Sequence, residues 1–155
     1  MRVIKATNSI DDIEKIKEVT FEWHNTCNAK DFGIDLNPET YFKDFSDLID
    51  REDSDLLLLM KRDEVVGYMG LTYFQSPLGN QRIANEHFWY VSGKHRGRGT
   101  LKLIRAARQW AKEKGCSHLI MNCSNLASDM HNRLCHFYTR IGFQLFETSY
   151  IILVR

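Results

Sequence analysis

The pattern of hydrophobic and polar positions near the start of the chain predicts first a short strand and then an amphipathic helix. The stretch "RVIKAT" at residues 2–7 predicts a strand, and "SIDDIEKIKEVTFEWHNTC" at 9–27 predicts an amphipathic helix. Ser9 is the expected N-cap of that helix. A second helix is predicted over 37–52, because Pro38 suits its first position.

The middle of the chain changes to the pattern of strands. "DLLLLMKRDEVVGYMGLTYF" at 55–74 predicts two strands around a turn at Lys61–Glu64. "GNQRIANEHFWYV" at 79–91 predicts another turn and a fourth strand. An amphipathic helix is then expected from about residue 100 to 114, and Gly115 ends it.

The last third of the chain predicts one more helix between strands. "HLIMNC" at 118–123 is the expected fifth strand, and "SDMHNRLCHFYTRIGF" at 128–143 the fourth helix, which Gly142 stops. "QLFETSYIILV" at 144–154 predicts one or two closing strands. The order β-α-α-β-β-β-α-β-α-β-β indicates a mixed sheet with helices on its faces rather than a doubly wound parallel sheet.

Composition is that of an ordinary globular protein. A chain of 155 residues suits a single domain over 1–155, and 43% hydrophobic and 26% charged residues suit a packed core. The formal net charge of +1 provides no overall field that would attract nucleic acid or an acidic membrane. Any anion site must therefore be local.

The chain carries no pattern of a secreted or membrane protein. Its N-terminus lacks the apolar run of a signal peptide, and the longest such run, "LLLLM" at 56–60, is too short to span a bilayer. The cysteines form no CxxC pair and lack zinc-ligand spacing; they are Cys27, Cys116, Cys123 and Cys135. Reduced, inert thiols and a cytoplasmic location are expected.

A basic, glycine-containing turn between the fourth strand and the third helix is the first candidate for chemistry. Glycines before a helix N-terminus let a ligand approach the unpaired amides there, and Arg96 and Arg98 can add charge-assisted bonds to a phosphate. Neither the dinucleotide fingerprint nor the Walker A pattern is present in the turn. A solvated basic turn without a ligand is the alternative.

The surroundings of this turn resemble one known family. "RGRG" at 96–99, five residues after a strand that ends in Val91, matches the first four positions of the Arg/Gln-x-x-Gly-x-Gly/Ala pattern of the GNAT N-acetyltransferase superfamily. "FYTRIGF" resembles that family's Tyr-x-x-x-Gly-Phe element, and "KRDEVVGYMGL" resembles its second and third strands. The resemblance covers about residues 55–146, and elsewhere only the order of elements agrees.

The resemblance implies both a fold and an activity. The fold is α/β (α+β), with a GNAT-like mixed, mostly antiparallel central sheet flanked by about four helices. The activity is N-acetyl transfer from acetyl coenzyme A to a primary amine by direct attack. Acetyl coenzyme A is the expected co-substrate, and neither a metal nor a covalent enzyme intermediate is expected.

The coenzyme-binding residues implied by the family lie on the fourth strand, in the basic turn and around the fourth helix. The strand offers backbone groups to the pantetheine arm, and the turn binds the pyrophosphate. The implied residues are Trp89, Tyr90, Val91, Arg96, Gly97, Arg98, Gly99, Thr100, Leu101, Asn125 and His131. Of these, Asn125 has a plain turn role as its alternative.

The last position of the pyrophosphate pattern departs from the family. Counted from Arg96, it falls on Leu101 rather than on Gly or Ala. Counted back from the helix, the loop is one residue short, which places Thr100 there. We favour this second alignment, since Thr is small enough for a close approach; a Leu facing the pyrophosphate would weaken coenzyme binding.

Tyr138 and Glu86 are the expected catalytic residues. The family's matching tyrosine protonates the leaving thiolate, and an ordinary phenol, with a pKa of about 10, is a suitable acid at neutral pH. Glu86 resembles the position at which some members carry a general base, and His87 is its rival. A purely structural role is the alternative for each of them.

The acceptor is expected to be an amine of unspecified kind: a small amine, an antibiotic, or a peptide or protein amine. Its site would be formed by an acidic and aromatic wall suited to a cation, namely Phe21, Glu22, Trp23, His24, Asp31, Tyr41, Phe42 and Asp44. No nucleic-acid or membrane partner is expected, and a homodimer is one expected state. The alternatives are a catalytically degenerate GNAT-fold ligand- or protein-binding module, a nucleic-acid module and a transferase of longer acyl chains.

Overall fold

A computed structural model describes residues 1–127 and 130–154, and of Ile10 only the backbone. Short 3-10 turns lie at Ala29–Phe32 and Gly93–His95. The longer elements are β1 (Arg2–Lys5), α1 (Ile10–His24), α2 (Pro38–Asp50), β2 (Ser54–Lys61), β3 (Glu64–Gln75), β4 (Arg82–Val91), α3 (Arg98–Glu113), β5 (His118–Ile120) and α4 (His131–Arg140).

The five strands form one sheet in the order β1-β2-β3-β4-β5. The pairs β1–β2, β2–β3 and β3–β4 are antiparallel, and β4–β5 is parallel because α3 carries the chain between them. This arrangement confirms the predicted mixed, mostly antiparallel sheet with four helices.

The chain divides into two compact units. Unit 1 consists of residues 1–23 and 38–121, and it contains every strand, α2, α3 and α1 as far as Trp23. Unit 2 consists of residues 24–37 and the described residues from 122 onward, and it contains α4. The single domain over 1–155 stays a prediction.

The helix signals in the sequence act as expected. The Ser9 hydroxyl accepts a hydrogen bond from the Asp12 N–H at 3.2 Å, which caps the first turn of α1. Pro38 is the first residue of α2. Gly115 follows α3 with a φ of 71°, a left-handed conformation that glycine adopts without strain. Of the predicted fourth helix, Ser128 and Asp129 lie outside the described residues.

The leucine run at 56–60 is buried on both faces of the sheet. Leu56 and Leu58 join the core beneath α1 and α2, whereas Leu59 faces α3. A strand covered on both sides needs apolar residues at consecutive positions, and this explains why β2 lacks polar alternation. The core beneath α1 and α2 comprises Ile16, Val19, Phe45, Leu56, Leu58, Met60, Val65, Tyr68 and Tyr90.

The prediction of closing strands at 144–154 is wrong. These residues adopt no regular secondary structure, and Leu145 and Tyr150 are 90% and 94% exposed. The sequence of a segment supplies only the side chains of a strand, whereas its backbone groups need a partner strand. No such partner pairs with them among the described residues.

A β-bulge in β4 changes which face its side chains occupy. Gly70 pairs with Phe88 and the next residue, Leu71, pairs with Glu86, so that His87 is the extra residue. Glu86 therefore shares the α3 face of the sheet with Leu71, and Phe88 lies on the opposite face.

None of the helices in the described part of the chain has the length and apolar character that spanning a membrane requires.

Candidate active site

The predicted pyrophosphate loop leads directly into the N-terminus of α3. This helix begins at Arg98, and Gly97 precedes it with a φ of 80° that only glycine adopts without strain. The Leu101 N–H donates to the Gly97 carbonyl at 3.0 Å, which closes the first helical turn. The amides from Gly97 to Thr100 precede this bond, and such amides have no partner within a helix. They can bind an anion.

The first turn of α3 packs tightly on the sheet. A Cβ added at Gly99 would lie 2.9 Å from Leu59 Cδ2, so a side chain at this position would have to displace Leu59. Thr100 is 8% exposed and begins the buried stripe of the helix, which continues with Leu103 and Ile104. Leu101 is half-buried in the same turn. The choice between Thr100 and Leu101 at the last position of the pattern stays a prediction.

Arg96 is held at the end of β4. Its Nε donates to the Val91 carbonyl at 3.2 Å, and its guanidinium lies 5.7 Å from the centre of the Tyr90 ring. Both Arg96 and Arg98 are exposed, so their charges can reach a ligand. Unit 1 thus brings two basic side chains to the helix N-terminus that follows this strand.

The C-terminal half of β4 has an open edge. Its pairing with β5 ends where Asn85 meets Ile120, whereas its pairing with β3 continues to Val91. In the described part of the chain, the stretch that includes Trp89, Tyr90 and Val91 therefore has a strand on one side only. Its outward backbone groups can pair with an extended ligand as another strand would.

Glu86 lies away from the face that carries Tyr90. It is 3% exposed and, because of the bulge, points with Leu71 to the α3 side of the sheet. His87, at the bulge itself, is exposed, and its ring lies 5.4 Å from that of Phe88. Alternation alone would have put Glu86 and Tyr90 on one face. The assignment of Glu86 as general base stays a prediction.

Tyr138 belongs to unit 2 and is 5% exposed. Its hydroxyl donates to the Asn122 carbonyl at 3.3 Å, and its ring lies 5.4 Å from that of Phe143. A phenol that donates to a carbonyl carries its proton. This is the protonation state that the predicted acid requires.

His131 and Asn125 also lie in unit 2. The Nε2 of His131 lies 3.6 Å from the Cys135 Sγ, and its buried Nδ1 has no hydrogen-bond partner among the described residues. The Asn125 carbonyl accepts from the Asn28 side chain at 3.0 Å, which ties the turn at Asn125 to residue 28. Their roles toward the coenzyme stay predictions.

The expected acceptor wall contains two aromatic pairs in unit 1. Phe21 and Phe42 meet edge to face at 6.4 Å, and Trp23 and Tyr41 do so at 5.2 Å. These two aromatic pairs are surfaces of the kind that organic cations contact. His24, also named in the expected wall, lies in unit 2, and desolvation lowers its pKa.

One contact of this region was not predicted from the sequence. Glu22, named only as part of the acceptor wall, accepts hydrogen bonds from the Tyr90 hydroxyl and the Gly93 N–H, each at 3.1 Å. Local sequence carries no signal for it, because these partners are 68 and 71 residues away.

Potential metal ligands in the described part of the chain are scattered. No group of three or more His, Cys, Asp or Glu side chains suited to a metal ion occurs among the described residues. All four cysteines are half-buried free thiols. Burial raises the pKa of Cys116, which keeps this thiol protonated and unreactive at neutral pH.

Solved structures of other proteins share this fold. A ribosomal-protein-alanine N-acetyltransferase from Brucella melitensis biovar Abortus 2308 has a TM-score of 0.72 at 18% identity, with 99% of this chain and 100% of that chain covered. A Bacillus halodurans protein, solved as a tetramutant, has a TM-score of 0.78 at 18% identity and the same coverage. The aminoglycoside 6'-N-acetyltransferase of Acinetobacter haemolyticus has a TM-score of 0.72 at 16% identity, with 100% and 99% covered.

At identities this low, the structural likeness establishes the fold alone. No curated protein sequence matches the chain. The model of the acetyltransferase (GNAT) family, however, matches residues 17–143, which include both the basic loop and the Tyr138 element. This chain therefore belongs to the GNAT family of N-acetyltransferases, whose co-substrate is acetyl coenzyme A.

Proposed function

We propose that this protein transfers the acetyl group of acetyl coenzyme A directly to the primary amine of a cationic acceptor. The observation that carries the proposal is the open edge of β4, which leads within one unit into Arg96 and the N-terminus of α3. An extended thioester ligand with a pyrophosphate at its far end has the chemistry that complements this arrangement.

The pyrophosphate is bound by the loop from Arg96 to Leu101. Backbone amides from Gly97 to Thr100 donate to its oxygens, and the positive end of the α3 dipole favours its charge. The exposed guanidinium groups of Arg96 and Arg98 supplement these bonds. Backbone groups of Trp89, Tyr90 and Val91 pair with the pantetheine arm. His131 and Asn125 contact the far region of that arm.

The transfer needs one bond formed, one broken and two proton movements. The amine nitrogen bonds to the acetyl carbonyl carbon, and a main-chain N–H near Val91 stabilises the negative charge that develops on the oxygen. The carbon–sulfur bond then breaks, and Tyr138 protonates the departing thiolate. The amine loses a proton to a base, for which Glu86, directly or through water, and His87 are the candidates.

The acceptor class is argued from the surface beside α1. Phe21 is 46% exposed and contacts Phe42, and Trp23 contacts Tyr41, so aromatic faces and edges are presented there. Aromatic rings favour an organic cation. Two of the similar structures are named as acting on a ribosomal protein and on aminoglycosides, and these supply the first acceptors to try.

Coenzyme binding is tested first and acetyl transfer second. We expect acetyl coenzyme A to raise the melting temperature, because a ligand that binds only the folded state stabilises it. A panel of an aminoglycoside, a peptide with N-terminal alanine and a polyamine is then assayed by release of free thiol. No stabilisation at millimolar coenzyme would refute the proposal, whereas binding without turnover on any amine would favour a degenerate binding module.

A further inference from the structure

The Glu22 carboxylate lies where α1 meets the end of β4. Its Oε1 accepts from the Tyr90 hydroxyl at 3.1 Å and from the Gly93 N–H at 3.1 Å. The Ser92 side chain lies close enough to the same carboxylate to favour its negative charge. A single side chain of α1 thus fixes the last turn of the chain before the pyrophosphate loop.

These bonds bracket the group that holds Arg96. The Val91 carbonyl, which accepts from the Arg96 Nε at 3.2 Å, lies between Tyr90 and Gly93 along the chain. The Tyr90 ring, whose hydroxyl donates to Glu22, is also the ring beside the Arg96 guanidinium. Movement of the Tyr90 ring would change one of the two contacts that orient Arg96, and movement of Gly93 would shift the turn between Val91 and Arg96.

Glu22 has two opposite effects on phosphate binding. Its hydrogen bonds order the loop, whereas its negative charge repels the phosphate. A negative charge near Arg96 reduces the attraction of the loop for a phosphate. Glu22 and Arg96 are both exposed, however, and water screens charges at such positions effectively. Disorder of the loop would instead have to be removed each time a ligand binds. The ordering effect is therefore the larger of the two.

We propose that Glu22 is a positioning residue that preorders the loop after β4 and aims Arg96 at the coenzyme pyrophosphate. The inference rests on the proposed function and adds a residue of α1, outside the loop itself, to coenzyme binding. Glu22 acts through Gly93 and Tyr90 and need not touch the ligand.

The test is a double-mutant cycle on coenzyme A binding, measured by calorimetry. Glu22→Ala should weaken binding about tenfold, which is the scale of losing a few hydrogen bonds. Glu22→Gln, which keeps an acceptor oxygen, should stay within about threefold of the wild type. In an Arg96→Ala background, Glu22→Ala should weaken binding little further. Both changes remove the same contribution, which is the bond from Arg96 to the pyrophosphate.

A matched control and a second readout separate positioning from general damage. Glu18→Ala removes an exposed carboxylate one turn earlier on α1 and should leave the Kd unchanged. Hydrogen exchange on the ligand-free protein should show a faster Gly93 amide in Glu22→Ala than in Glu18→Ala.

The outcomes distinguish a failure of this inference from a failure of the proposed function on which it rests. A wild type that binds no coenzyme A overturns both. A wild type that binds, with an equal Kd for Glu22→Ala or with fully additive effects of the Glu22 and Arg96 changes, overturns the positioning role alone. Unchanged Gly93 exchange in Glu22→Ala also overturns that role, whatever the binding result.

Discussion

Tyr138 combines a buried ring with a hydroxyl whose proton is directed at the Asn122 carbonyl. Replacement by Phe keeps the ring and removes only the hydroxyl, which is the proposed acid. We expect Tyr138→Phe to lower kcat about a hundredfold with little change in the Kd for acetyl coenzyme A, because proton transfer to the leaving sulfur is lost. Steady-state kinetics with any active acceptor measure this, and Tyr150→Phe, at a 94% exposed position, is the control. Unchanged kcat across pH would remove Tyr138 as the acid.

Leu101 is the one bulky residue in the proposed phosphate-binding turn whose side chain is neither fully buried nor charged. It is half-buried, whereas Thr100 before it packs against the sheet. We expect Leu101→Ala to leave the Kd for coenzyme A nearly unchanged, because the favoured alignment places Thr100, and not Leu101, beside the pyrophosphate. Calorimetry measures the Kd. A tighter Kd would show instead that Leu101 stands at that position and limits the approach of the ligand. A weaker affinity would show that Leu101 contributes favourable contacts.

The pKa of Glu22 lies below its ordinary value. Burial by itself raises this pKa, but hydrogen bonds from Gly93, Ser92 and Tyr90, with the charge of Arg96, lower it by more. A depressed pKa adds stability above the unfolded-state value and loses it as the pH falls through the folded-state value. We therefore expect the stability difference between the wild type and Glu22→Gln to be complete at pH 7 and to fade below about pH 4. Urea denaturation across this range measures it, and a constant difference would contradict the expectation.

At the scale of elements, the start of α3 depends on one residue. Gly97 has a φ of 80° and a ψ of −100°, with open space where a Cβ would lie. We expect Gly97→Ala to lower the free energy of unfolding by about 1–3 kcal/mol through backbone strain alone and to weaken coenzyme A binding. Gly115→Ala imposes positive-φ strain at the other end of α3 and should cost stability without affecting the Kd. Equal losses of affinity in both variants would contradict the role of the loop.

Elements with strong local signals were predictable, and those that depend on distant partners were not. Ser9 and Pro38 mark helix starts through bonds and dihedral angles within a few residues. The bulge at His87, by contrast, arises from pairing with β3, and it reverses the face of Glu86. Closing strands are expected at 144–154 from the sequence, but the side chains of a segment cannot supply a partner strand for its backbone.

The candidate site divides in the same way. Arg96 and Gly97 belong to a contiguous motif, so their joint position could be expected from the sequence. The contact of Glu22 with Gly93 joins residues 71 apart, and its existence depends on how α1 packs on the sheet. Such a contact leaves no periodic or local pattern in a single sequence.

At the scale of the sheet and its helices, Trp110 connects three elements of unit 1. It is 2% exposed, and its Nε1 donates to the Asp55 carboxylate at 2.6 Å, which also accepts from Lys5 at 3.1 Å. We expect Trp110→Phe to lower the free energy of unfolding by about 1–3 kcal/mol, because a part-buried hydrogen bond to a charged group is lost. Lys5→Met removes only the exposed ion pair and should cost less. Urea unfolding compares them, and an equal or larger loss for Lys5→Met would contradict this ranking.

The matching order of strands in the chain and in the sheet has a consequence for how the protein folds. β2, β3 and β4 are joined by short turns, whereas β1 must wait for both first helices before it meets β2. Closing a short loop costs less entropy than closing a long one. Truncations in β3, such as Leu71→Ala, should therefore slow refolding, while Ile4→Val in β1 should mainly speed unfolding. We therefore expect the three-stranded meander to form the nucleus, so that the open edge of β4 is in place before β1 and α1 dock.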